Sequence, residues 1–341
     1  MRIFASLTPA WGRMRDMLFR PFSAGAWFIL GFIFFLQSFV DGGGGGRLNQ
    51  NFGGGGSGGR SGGPGAAGAP DVVEMLKSLR EIVNKQAASL GILVATGVVV
   101  GLIALVGFSW IGTRGQMMAI RNVSRGEASV AQAWHETRDA AFSMFKVRLL
   151  LAAIGLGITI PLVVLAVSRT YSLIDAGVTD GETLLVGVLP IVVVLVATSL
   201  AFSVVESILR NFVAPLMWRF ELGFRDAVAR FRELADGNWG PIIGFLLLRF
   251  VAALLFGVVD SLVVTCTCCI GGLPVLHQTL LAPWYVFERA WTLYFIESAG
   301  PEWKMTDDIA PPQFPGPPAP PVYPYAPYGG YGPPGPRFPG Q

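Results

Sequence analysis

Hydrophobic residues gather along the chain in six long blocks, Gly25 to Val40, Leu90 to Ile111, Val147 to Val167, Leu184 to Leu209, Pro241 to Val264, and Cys266 to Phe287. At 1.5 Å of rise per residue, about 20 apolar residues cross the hydrocarbon layer of a bilayer. The pattern predicts an all-α, polytopic helical membrane protein with about six transmembrane helices. Blocks five and six almost touch. Gly271, Gly272 and Pro274 are the turn signals at their junction.

Arg2, Arg13, Arg15 and Arg20 precede the first block, an arrangement shared by a retained anchor and a cleaved signal peptide. The long leading region with Trp11, Phe19 and Phe22, and the lack of an A-x-A site after the block, favour the anchor. A tether rich in Gly, Ser, Ala and Asn follows to Pro70, too poor in apolar side chains to bury a core. From Asp71 the period turns helical, with Val72, Leu76, Leu79 and Val83 on one stripe that calls for lipid, another part of the chain, or a second copy.

Two connections between blocks are amphipathic. Ser129 and Gln132 form a capping-box signature before a stripe of Val130, Trp134, Ala141, Phe142 and Phe145. In the second, Phe220, Phe224, Val228, Phe231 and Ala235 share a face flanked by Arg219, Arg225, Arg230 and Arg232. Both are expected to lie in the membrane interface, apolar face in the acyl boundary and arginines at anionic headgroups. The region of Trp11, Met14 and Leu18 repeats the idea. The expected unit is therefore a surface helix followed by two spans, present three times.

These readings divide the chain into an N-terminal interfacial segment (1–24), a first span (25–41), a glycine tether (42–70), a helical membrane domain with five further spans (71–303), and a disordered Pro/Tyr-rich tail (304–341). The tail has polyproline II character, which suits either a docking peptide for a protein partner or a spacer.

Composition supports the membrane reading, with 52% hydrophobic and 14% charged residues. A soluble domain carries about a quarter charged residues. A net charge of +3 gives no ground for electrostatic nucleic-acid binding. Lys and Arg concentrate before the first block, between the second and third, and between the fourth and fifth, which places both termini on the cytoplasmic side. Cys266, Cys268 and Cys269 share one apolar stretch without a second ligand pair, so no metal or cofactor is expected.

Candidate chemistry rests on ionisable residues at membrane depth, where charge is costly. Glu206 near the end of block four and Arg249 in block five are expected to pair and lock two spans. His277, with Gln278 and Thr279, is expected mid-span as a hydrogen-bonded helix contact, with a proton relay as the alternative. Asp260 is expected at a wet surface. Pro161, Pro190, Pro283, Gly155 and Gly157 signal kinks or close helix approach, which a transporter would also show. His135, Glu136 and Asp139 read as a solvated helix face. Motifs for nucleotide binding, serine hydrolysis and zinc proteolysis are absent, so no enzyme is expected.

The stretch LPVLHQTLLAPWYVFERAWTLYFIESAGPEW, Leu273 to Trp303, resembles the carboxyl-terminal signature of poorly characterised bacterial multi-span proteins. Those proteins are similar to the membrane domain attached to some glycerophosphodiester phosphodiesterases. The likeness covers residues 110–303 and rests on Pro283, Phe287, Arg289 and Gly300-Pro301-Glu302; the glycine tether departs from it. No catalytic domain accompanies it, so no phosphodiesterase activity carries over. What the resemblance implies is a multi-pass protein of the bacterial cytoplasmic membrane.

Two functions remain open at this point. One is a membrane anchor or scaffold that holds anionic lipid through Arg138, Arg219, Arg225, Arg230 and Arg232, recruits a partner through its tail, and is open to homo-oligomer formation. The other is a permease or lipid-handling transporter with a route between spans four to six, past Glu206, Arg249, His277 and Gln278.

Overall fold

The computed structural model describes residues 1–41, 87–177, 181–266 and 273–308. The glycine tether, the stripe from Val72 to Val83, Cys268, Cys269 and the tail beyond Asp308 lie outside the described residues. Helices run in the order α1 (Leu7–Leu18), α2 (Ala24–Asp41), α3 (Ala87–Arg125), α4 (Ala131–Glu136), α5 (Arg138–Asp175) and α6 (Gly181–Ile208). After a π-helical turn at Leu209–Val213 come α7 (Ala214–Arg219), α8 (Phe224–Ala235), α9 (Trp239–Cys266), α10 (Pro274–Leu280) and α11 (Ala282–Glu297).

Among the described residues, four stretches are long and apolar enough to cross a membrane: Ala95–Arg125, Arg138–Asp175, Gly181–Arg219 and Trp239–Val263; Ala24–Val40 is a shorter apolar helix. The sixth expected span is built differently. Helix α9 runs on to Cys266, and the apolar sequence after it resumes at Pro274 as two helices that meet at Leu281. Pro283 sits in the first turn of α11, where its missing N–H leaves no helical hydrogen bond unmade.

Long helices pair antiparallel. Val40 meets Gly112 and Leu36 meets Gly115 across α2 and α3. Arg148 meets Glu206, and Leu173 meets Gly187, across α5 and α6. Along α9 and the α10–α11 pair, Phe245 stacks on Phe295, Phe256 on Trp284, and Asp260 reaches His277. A short helix precedes each pair: α1, α4 with its break at Thr137, and α8.

The core lies where these helices meet. Leu30, Ile33, Met117, Ile120, Met144, Phe212, Phe245 and Phe295 are fully buried there. By contrast, the apolar length of α6 buries no side chain, and Ile160, Val164, Val193, Val196 and Leu200 stand open. Such surface is stable against hydrocarbon and unstable against water.

Helix α8 corrects an expectation. Its apolar face does not enter lipid: Ala227, Phe231, Leu234 and Ala235 are buried against protein, with Phe231 beside Phe212 and Trp239. The stripe around Val130 is likewise split, since α4 ends at Glu136 and Arg138 opens α5. Ser129 Oγ accepts from the Gln132 N–H, but the Gln132 side chain bonds Glu136 instead of closing a capping box.

Close approach sets α2 on α3. A Cβ at Gly115 would stand 2.7 Å from the Leu36 carbonyl carbon and against the Gln37 nitrogen, both backbone atoms that cannot swing aside. We expect Gly115→Ala to cost about 1–3 kcal/mol, the scale of core overpacking. Thermal melting in detergent checks this against Gly97→Ala, where a Cβ meets nothing within 4 Å and no change is expected.

Candidate functional site: a buried arginine network

Among the described residues, six arginines are buried where the helices converge, and five of them lie in or beside long apolar helices. Each calls for a partner, because an unpaired buried charge costs several kcal/mol. Arg148, on α5, donates to Glu206 at 2.5 Å and to Thr113 Oγ1 at 3.3 Å. Arg249, on α9, bonds Glu288 at 2.6 Å and Thr292 Oγ1, both on α11. The expected Arg249–Glu206 pair is therefore replaced by two separate ones. Adjacency in the span order suggested that pairing, but α9 packs along α11, while Glu206 faces the preceding helix of its own hairpin.

Around the π turn the polar contacts loosen. Gln116 Nε2 donates to the Arg210 carbonyl at 3.3 Å, and Arg289 approaches the same oxygen at 3.5 Å. Gln116 Oε1 and Asn211 Oδ1 are buried without a hydrogen-bond partner among the described residues.

Farther along α9, Asp260 is not simply wet. Its Oδ1 lies 2.8 Å from His277 Nε2. His277 does not sit mid-span either, because α10 begins only at Pro274, and this places it in the first turns of a short helix. Beside it Gln278 is buried, its Oε1 without a hydrogen-bond partner among the described residues, and Thr279 packs against Gly31.

A second polar cluster lies where the end of α3 meets α1 and α4. Arg121 is fully buried, bonded to Glu136 at 2.9 Å and to Glu127 at 2.8 Å. The Arg121 hydrogen bond holds the Glu136 carboxyl below its ordinary pKa, against the opposing effect of burial. Arg13 donates to the carbonyls of Val123 and Ser124, both at 2.5 Å, and of Asp307 at 2.8 Å. These arginines did not stand out in the sequence as site residues. One signal was present: Arg13 lies on the stripe of Ala10, Met14 and Leu18, where a solvated arginine has no place.

The expected headgroup contacts divide. Arg138, Arg225 and Arg232 are exposed, and no ion pair engages them among the described residues. Arg219 instead bonds Asp307 at 2.8 Å and the Lys304 carbonyl at 3.0 Å. Arg230 bonds Glu233 and lies 4.2 Å over the Trp303 ring. These contacts also correct the tail boundary. Residues 304–308 form a strap across the core, with Met305 and Thr306 buried and both of their N–H groups held by Glu297 Oε1.

Long apolar helices with bare flanks, joined through ion-paired buried arginines, define a helical membrane protein. The chain belongs to a family of unknown function, DUF7544, whose model matches residues 1–297. No curated protein and no solved structure matches it.

Proposed function

We propose that the protein is a non-enzymatic anchor or scaffold of the bacterial cytoplasmic membrane, multi-pass, with both termini cytoplasmic and α2 retained as a working helix. Exposed arginines on α5 and α8 hold anionic lipid, and the Pro/Tyr-rich tail recruits a protein partner. The observation that carries the reading is the contrast between the α8 faces: the apolar face is already occupied by protein, whereas Arg225 and Arg232 are exposed and form no ion pair among the described residues. Each such arginine near an anionic surface contributes about 1 kcal/mol. The contact of Arg2 with Ser298 keeps the first and last described segments together, which suits an even number of crossings.

The test compares melting of the full chain in phosphatidylcholine nanodiscs with and without phosphatidylglycerol. Phosphatidylglycerol is expected to stabilise the protein, and Arg225→Gln with Arg232→Gln to remove part of that gain. Equal gain in the double variant overturns the reading.

A permease or lipid-handling route along α6, α9 and α10 is the second reading. The Asp260–His277 pair with its unpartnered Gln278 oxygen favours it. The two readings separate on deletion and substitution. An anchor keeps its lipid preference in a folded His277→Gln variant and loses partner recovery when residues 311–341 are deleted; a permease does the reverse.

A further inference from the structure

Among the buried arginines, Arg121, Arg148 and Arg249 each face a carboxylate, and Arg13 has three carbonyl oxygens. Arg114 has neither. It is 94% buried, since only 6% of its surface remains open. One of its nitrogens donates to the Trp134 carbonyl at 3.1 Å. Its guanidinium lies 4.6 Å from the Trp134 ring and 5.7 Å from the Trp110 ring. The two indoles meet edge to face at 5.7 Å, so they form a corner around the cation. Electrostatically, Arg138 repels it and Asp139 attracts it from the first turn of α5. Neither makes an ion pair with it among the described residues.

Position along α3 identifies the missing counter-charge. From Leu102 to Trp110 large apolar side chains stand open, while Gly112 onward is buried by protein. Arg114 thus lies where the lipid-facing part of the helix gives way to the packed part, the level at which indole rings settle in a bilayer. A buried arginine walled by two indoles at that level, with Arg138 near it and only Asp139 to offset their charge, matches the phosphate of a lipid headgroup. Arginine suits this role because its planar fork binds two phosphate oxygens.

We propose that Arg114 and Arg138, with Trp110 and Trp134 as walls, form a discrete binding site for the phosphate of one anionic phospholipid. The site rests on the lipid-anchor reading but narrows it, since general attraction to the leaflet needs exposed arginines and no walled pocket. Asp139 offsets part of the positive charge and disfavours ligands with more than one phosphate.

The test is native mass spectrometry of the full-length protein in detergent with added phosphatidylglycerol or phosphatidylcholine. Wild type is expected to retain one phosphatidylglycerol in preference to phosphatidylcholine. Arg138→Gln is expected to weaken that retention about fivefold, the equivalent of about 1 kcal/mol for one basic residue. Arg114→Gln should abolish it; if that variant does not fold, exposed Arg138 decides alone. Retention in Arg138→Gln equal to wild type overturns the site while leaving the α8 reading intact. Inorganic phosphate titrated into the protein in phosphatidylcholine nanodiscs is expected to produce no melting shift. A shift that Arg138→Gln removes would identify a free anion as the ligand and overturn the assignment to lipid.

Discussion

A chain ending at Asp308 is expected to melt like the full-length protein, whereas one ending at Glu297 should lose stability on the order of 5 kcal/mol and aggregate on extraction. The segment between those two points makes a dense set of hydrogen bonds. Ser124 Oγ donates to the Met305 carbonyl at 2.5 Å, and the Asp307 N–H returns a bond to the Ser124 carbonyl at 2.8 Å. Arg13 and Arg219 both donate to Asp307, and Glu297 Oε1 accepts from Met305 N, Thr306 N and Thr306 Oγ1 at 2.6–2.7 Å. Removing the strap strips an acceptor from a buried cation and three donors from a half-buried carboxylate. Charge-assisted bonds are worth about 1.5–3 kcal/mol each. Trp303 leaves as well, taking the ring beneath Arg230. Detergent melting and size-exclusion profiles of the two truncations check the prediction. Equal behaviour would mean that the strap rests on the core without holding it. The family match stops at residue 297, so on this expectation the matched region does not end where the fold does.

Much of the architecture was legible because membrane helices announce themselves by length and composition. Blocks two to five became α3, α5, α6 and α9, with α3 and α5 running several residues beyond their blocks. The limits of legibility are also physical. An amphipathic stripe states that a helix has an apolar face and leaves open whether lipid or protein covers it; in α8 the answer is Phe212 and Trp239. The short helix at Pro274 was hidden for a related reason, since glycine, proline and cysteine within an apolar run read equally as a turn or as a broken span. Residues 304–308 were misjudged through their proline-rich neighbours. Their anchoring depends on Arg13 and Ser124, far away in sequence, and no local pattern reports such a bond.

Partner choice among buried charges was the least legible of all, and it yields a quantitative expectation. Glu288→Leu should destabilise the protein by about 3–5 kcal/mol, because it leaves Arg249 buried without its carboxylate. Arg249→Leu should cost less, since Glu288 retains partial access to solvent, at 22% of its side-chain surface. The double substitution to leucine should recover much of the loss, since an apolar pair of similar bulk carries no desolvation cost. Coupling between positions 249 and 288 is therefore expected in a double-mutant cycle measured by thermal or denaturant melting. The pairing inferred from sequence order makes the opposite claim, and the same experiment separates them. Arg249→Leu combined with Glu206→Leu should be additive within about 0.5 kcal/mol, as for residues without a shared contact, while Glu206→Leu should couple to Arg148. Strong coupling between 249 and 206 would mean that α9 packs against α6 through those charges, contrary to the Phe245–Phe295 and Phe256–Trp284 stacks that hold α9 along α10 and α11.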